Sequence, residues 1–390
     1  MIGQIFDNEY FKLMSYIIRE KNSDEELAYI RKSKEKINSP EFYAVAKEHE
    51  LISTITVKFK KKTGIELGGE WEKEANNTRK KLSSLFEKVE KIAVDLNTHG
   101  IPLIFLKNGG IAVDIMDDLA ECPMGDIDIL CRKNDFHDAH KTILAHGFKF
   151  KFRSVYEFEN LDEAFADGST EYSFDENGNV QWIELAWRPI AGRWIRKDKE
   201  PKADDLFRCS HKAKKSCCRV LSNEDNLLQV SIHTAKHSYV RAPGYRLHLD
   251  VDRIVSNKDI DWNLFIEKVR AVNSCTAVYF SLLLAHEILG TNIPEYVLLS
   301  LKPSKRKEHR ILDMLLKANL MHPHEKKFSK IGFLLFQTAL YDSYKDLLAV
   351  LFPTGKTLKT KYQYNNNLLT PYYWSVFVLD MVGMRKSKKK

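Results

Sequence analysis

The sequence predicts an α+β protein: a mixed sheet with flanking helices, set between an N-terminal helical region and a C-terminal helical domain. Three observations predict it. Apolar residues recur at helical spacing through residues 1–100, strand-like runs carrying glycines and acids fill 101–220, and helical periodicity returns over 221–390. These three ranges are the expected domains.

The N-terminal region shows the helical period at Phe11, Leu13, Tyr16 and Ile17, and again at Leu82, Leu85, Val89, Ile92 and Leu96. Residues 70–97 contain no Gly or Pro, which predicts one long helix ending at His99–Gly100. Ile101–Leu106 (IPLIFL) then reads as a buried strand. Lys107–Asn108–Gly109–Gly110 interrupts it, and 111–119 resumes as helix. A second strand covers Asp126–Cys131, and a helix over 134–146 ends at Gly147. Two further strands, 171–174 and 180–187, flank an Asn177–Gly178 hairpin turn. Helices over 227–237 and 277–289 are the most apolar of the last region, 353–371 reads as a loop, and 372–384 as a packed helix.

Composition narrows the function classes. Apolar residues at 44% and charged residues at 29% fit a globular chain of ordinary type. Arg385, Lys386, Lys388, Lys389 and Lys390 supply five charges of the +8 excess, so the remaining chain is nearly balanced. That argues against the dense basic surface that many phosphate contacts require. Cys122, Cys131, Cys209, Cys217, Cys218 and Cys275 include no C-x-x-C spacing, which fits free thiols in a reducing, cytoplasmic setting. No signal peptide or membrane span is expected, because the apolar stretches are short and interrupted by His286, Glu287 or Asp380.

Chemistry is concentrated in 106–130, LKNGGIAVDIMDDLAECPMGDIDIL. Strand residues i and i+2 share a face, so Asp126 and Asp128 project together. Paired carboxylates suit a hard divalent cation with oxygen ligands, Mg²⁺ or Mn²⁺, and such sites serve phosphoryl and nucleotidyl transfer. Gly109 and Gly110 lie where a helix begins, so their backbone can approach a triphosphate. Glu184, the acid within 181–187, is the expected third carboxylate, as metal ligand or as base; its facing toward Asp126 is open at this level. Lys107 is a phosphate-reaching lysine or one that extends to solvent. His233, Lys236 and His237 share a helix whose Lys236 or His237 would meet phosphate in the nucleotide cleft, the alternative being two hydrogen-bonded core histidines; Thr234 stands where a zinc protease has Glu. Asp250 and Asp252 form a second D-x-D on a helix, where i and i+2 diverge, and are read as structural, with Asp250 bridging Arg253 or Arg246.

The glycine pair followed by apolar-Asp-apolar-Asp-apolar resembles the signature of the polymerase-β nucleotidyltransferase superfamily, and the wider pattern is similar to an uncharacterised bacterial branch of it. The matching positions are Gly100–Pro102, Leu106–Lys107, Met124–Asp126–Asp128–Leu130, Glu184–Leu185–Trp187 and His233–Lys236–His237. The resemblance implies a polymerase-β-like sheet and Mg²⁺-dependent transfer of an NMP from an NTP to a hydroxyl, with pyrophosphate released. A small molecule is the first acceptor expected, a protein or peptide hydroxyl the second, and a tRNA end the third. A non-catalytic nucleotide-binding or regulatory protein is the alternative. The chain departs from the pattern at Asn108, Cys122, Gly125 and Ala186, and these departures bear on substrate recognition.

Overall fold

In the N-terminal region the sequence places its helix starts at good capping residues. Ser23 and Glu26 form a reciprocal capping box, and Ser39 caps a helix whose first residue is Pro40. The computed structural model describes residues 8–153, 161–162, 165, 168–176, 178–189, 195, 198–362 and 364–381. Helices α1 (Glu9–Ile18), α2 (Asp24–Lys32), α3 (Lys34–Ile37), α4 (Pro40–Glu48) and α5 (Ile52–Thr63) precede the long α6 (Glu70–Thr98). Helix α6 buries Trp71, Ala75, Leu82, Leu85, Val89, Ile92 and Leu96, the face its periodicity specifies.

An open mixed sheet follows. Its strands are β1 (Ile104–Phe105), β2 (Asp126–Leu130), β3 (Lys149–Phe150), β4 (Ser169–Glu176), β5 (Asn179–Ala186), β6 (His211–Lys212) and β7 (Arg219–Val220), in the order β3-β4-β5-β2-β1-β7-β6. Strand β2 runs antiparallel to β1 and parallel to β5, while β1 runs parallel to β7. The β4–β5 hairpin closes between Glu176 and Asn179 with Gly178 left-handed at φ 85; Asn177 lies outside the described residues.

Between the strands lie α7 (Lys107–Asp114), α8 (Phe136–Ala145) and α9 (Ala203–Cys209). The two sheet faces differ. Ile127 and Ile129 join the main core under α6 and α8. Leu130 and Ala186 belong instead to a small cluster with Ile104, Leu106, Leu206, Phe207 and Leu221, covered by α9. By strand alternation Asp126, Asp128, Trp182 and Glu184 share this second face.

Helices α10 (Asn223–Lys236), α11 (Tyr245–Asn257), α12 (Trp262–Ala271) and α13 (Cys275–Leu289) pack on one another, and α10 and α11 also touch α7. Then come α14 (Glu295–Leu301), α15 (Lys305–Ala318), α16 (Lys330–Ala339), α17 (Tyr344–Leu351), α18 (Gly355–Tyr362) and α19 (Thr370–Met381). The main apolar cluster is continuous from Phe11 to Tyr341.

Several expectations change. The strand expected over 101–106 shrinks to β1, and the glycines lie inside α7 instead of ahead of a helix beginning at Ile111. Helix α7 then stops at Asp114, and only a short turn of helix, Leu119–Glu121, follows. Strands β3, β6 and β7, two residues each, were too short to leave a periodic signal. The expected loop over 353–371 contains α18. Helix α19 packs through Trp374, stacked on Phe352 with ring centres 5.4 Å apart. The basic tail lies outside the described residues.

Candidate active site

Strand register assembles the acids. Asp128 sits opposite Glu184 across the parallel β2–β5 pair, and Glu184 opposite Glu171 on β4. One carboxylate oxygen from each of Asp126, Asp128 and Glu184 lies within 4.8 Å of the others. The donor set is all oxygen, which fits a hard cation such as Mg²⁺ or Mn²⁺. Thus the structure brings together the three acids singled out from sequence.

Among the described residues, Lys107 and Arg153 form ion pairs with this cluster. Lys107 Nζ is 2.5 Å from Asp128 Oδ1 and 3.6 Å from Glu184 Oε2. Arg153 places a guanidinium nitrogen 2.8 Å from Asp126 Oδ2 and donates its backbone N–H to Glu171 at 2.7 Å, while lying 4.8 Å over the Trp182 ring. Lys107 itself has left-handed backbone at φ 49, a conformation that costs any residue with a Cβ energy and persists where the surroundings enforce it. The surroundings are visible: its N–H donates to Gln229 Oε1 at 2.9 Å, and Gln229 Nε2 donates to the Pro189 carbonyl at 2.8 Å.

The electrostatics follow from crowding. Burial, together with the Glu184 and Asp126 carboxylates, drives the Asp128 carboxyl well above its usual range despite Lys107. Burial also opposes charge on Glu184, but Lys107 and hydrogen bonds from Asp128 and Ser169 pull it down to about 2. Burial works against the Lys107 ammonium, and the acids more than offset it, so its proton is held more tightly than usual. The two carboxyls titrate as one system, so these opposite directions belong to the pair.

Gly109 and Gly110 pack α7 onto the sheet. A Cβ on Gly109 would sit 3.3 Å from Phe105 Cδ1, and one on Gly110 3.2 Å from the Phe105 carbonyl oxygen. Their missing side chains allow this close helix–strand approach, and it leaves the first turn of α7 beside the Lys107–Asp128 pair. Lys236 is exposed at the end of α10. The protein around it lowers its ammonium to about 8, with Lys107 adding and Glu184, Asp128 and Glu200 opposing. His237 Nδ1 donates to the Ala242 carbonyl at 2.7 Å, and its ring lies 4.8 Å from that of His233. Burial depresses both imidazoles.

The second D-x-D is structural. Asp250 pairs with fully buried Arg253 at 3.0 Å, and Asp252 accepts from the Glu20 N–H and the Thr291 hydroxyl. Arg246 instead bonds Glu50 and the Pro123 carbonyl. A surface depression of about 660 Å³ lies apart from the acids, along α6.

Sequence reasoning missed Arg153, Glu171, Trp182 and Gln229. Gln229 alone had a local signal: it stands four residues before His233 and seven before Lys236, on one helical face.

An open mixed sheet with helices on its faces and a strand-borne acidic triad defines the class: a polymerase-β-like nucleotidyltransferase fold with a cluster fit for a metal ion. Residues 35–290 match the family model described as "Uncharacterised nucleotidyltransferase", and the chain belongs to that family, within the polymerase-β superfamily. It is accordingly an enzyme of phosphoryl-type transfer. Comparison with curated proteins and with solved structures gives no match. Among the described residues no helix is long and apolar enough to cross a membrane.

Proposed function

We propose that the protein transfers an NMP from an NTP to a hydroxyl of a small molecule, with pyrophosphate as the second product; a protein or peptide hydroxyl is the next acceptor. The observation that carries this reading is the three-carboxylate cluster across β2 and β5, with the first turn of α7 beside it. Asp126, Asp128 and Glu184 would hold Mg²⁺, which when bound would neutralise the triphosphate and withdraw charge from its α-phosphorus. Glu184, whose carboxyl Lys107 holds below its usual range, would complete the metal site or accept the acceptor hydroxyl proton. The backbone around Gly109 and Gly110 would hold the β- and γ-phosphates with Lys107 as their cation, chiefly through the amides of Asn108 and Gly109, because the Gly110 N–H already donates to the Leu106 carbonyl at 3.3 Å. Lys236, at the exposed end of α10, would meet the phosphates from the other side, with His237 orienting that turn through Ala242. Trp182, half-buried beside Asp126, offers a flat apolar surface to the acceptor or base.

Calorimetric titration with each of the four NTPs in Mg²⁺ tests the reading. Metal-dependent binding of at least one NTP is expected, and the Asp126→Asn/Asp128→Asn variant should abolish it. Wild-type protein that binds no NTP with Mg²⁺ or Mn²⁺ would remove the proposal's support.

A further inference from the structure

The far edge of the sheet carries a second set of metal-ligating side chains. Strands β6 and β7 are joined by residues 213–218, and the Ala213 N–H donates to the Cys218 carbonyl at 3.1 Å. This tight connection turns Cys217 and Cys218 together toward Glu90 on α6. Both sulfurs and a Glu90 oxygen lie within 4.8 Å of one another.

We propose that Glu90, Cys217 and Cys218 form a second metal site, for a thiophilic divalent cation of the zinc type, which fastens the sheet edge to α6. Two sulfurs disfavour Mg²⁺ and select a softer ion, and zinc also accepts a carboxylate oxygen as a ligand beside them, with water completing a four-coordinate site. Zinc–sulfur bonds of about 2.3 Å put two sulfurs of a tetrahedral site about 3.8 Å apart, so the present spacing needs little closure. Binding would release the two S–H protons to solvent, leaving two thiolates and a carboxylate around the ion.

The groups around the ligands are arranged as such a site requires. Glu90 Oε1 accepts from the Cys217 N–H at 2.7 Å, and its other oxygen accepts from the Ser216 hydroxyl. Ser216 Oγ in turn accepts from the Cys218 N–H at 3.0 Å, and Asn97 Nδ2 donates to Cys217 Sγ at 3.6 Å. Hydrogen bonds of this kind orient metal ligands. Glu90 also borders the open depression lined by Lys91, Asp95 and His146. Cys218 is enclosed, whereas Cys217 is partly exposed and keeps its backbone N–H on the Glu90 carboxylate. The link to the active site is direct: β7 pairs with β1, and β1 leads into Lys107.

Cobalt titration of the full chain tests the site. One equivalent of Co²⁺ should give thiolate-to-cobalt charge-transfer absorption that added Zn²⁺ removes. Cys217→Ser should lose the band, and Glu90→Gln should weaken Co²⁺ binding at least about tenfold. Asp126→Asn/Asp128→Asn should leave it unchanged, so the outcome is independent of the transferase reading. In unsubstituted protein, Zn²⁺ should shield Cys217 from alkylation while exposed Cys209 continues to react. Absence of the thiolate band, its survival in Cys217→Ser, or equal alkylation of Cys217 with and without Zn²⁺ would overturn the proposal.

Discussion

Gln229 accepts from the Lys107 N–H and donates to the Pro189 carbonyl, so one buried amide ties α10 to the start of α7 and to the segment that follows β5. Gln229→Leu leaves both backbone groups without that partner, and each buried polar group stranded this way costs about 1–3 kcal/mol. Chemical denaturation should show a loss of that order for the pair, and calorimetry should show weaker Mg²⁺–NTP binding, because Lys107 loses the bond that holds its left-handed backbone. At this scale the sequence was uneven. Asp126 and Asp128 were legible because a strand's period of two puts them on one face whatever the rest of the chain does. Glu184 was legible as an acid in an apolar run, while its facing toward Asp128 depended on β2–β5 register. Arg153 and Glu171 had no local signal, since their contacts come from long-range pairing.

Helix α7 shows what an element adds to its residues. Its glycines serve packing: both face Phe105, one against the ring and one against the carbonyl oxygen. The ring can shift, but the carbonyl is fixed by strand pairing. Gly110→Ala is therefore expected to destabilise more than Gly109→Ala, by about 1–3 kcal/mol as overpacking typically does. The melting temperatures of the two variants check the order. Gly110→Ala should also weaken NTP binding, since α7 can relieve the contact only by moving its first turn. The sequence announced a strand, two glycines and a helix, but not that the glycines belong to the helix. A glycine pair lowers helix propensity, and only the contact with β1 overrides that preference. Long α6 was read nearly to the residue, because its apolar spacing alone determines its buried face.

Across the whole molecule, buried polar links join the N-terminal helices to the later ones. Lys58 pairs with Glu20 at 2.5 Å, Asp252 accepts the Glu20 N–H, and His49 Nδ1 accepts the Tyr245 N–H at 3.2 Å. Burial lowers His49 to about 3. Its folded-state pKa thus lies below the unfolded value near 6.5, and the unfolded chain binds the extra proton as pH falls. The stabilisation is complete above pH 6.5 and declines toward pH 3, by about 2 kcal/mol between pH 7 and 5. His49→Gln should reduce stability at pH 7.5 yet lose less on going to pH 5, which paired denaturation curves at the two pH values would show. None of these links was legible beforehand, because each joins residues far apart in sequence. The parallel pairing of β2 with β5 has a kinetic consequence of the same origin. It closes a long loop before any of its contacts is gained, and nonlocal pairings of this kind slow folding. The β4–β5 hairpin can form early, but the three carboxylates meet only when β2 docks. During refolding, affinity for a divalent ion should therefore emerge late, after most of the helical signal has returned.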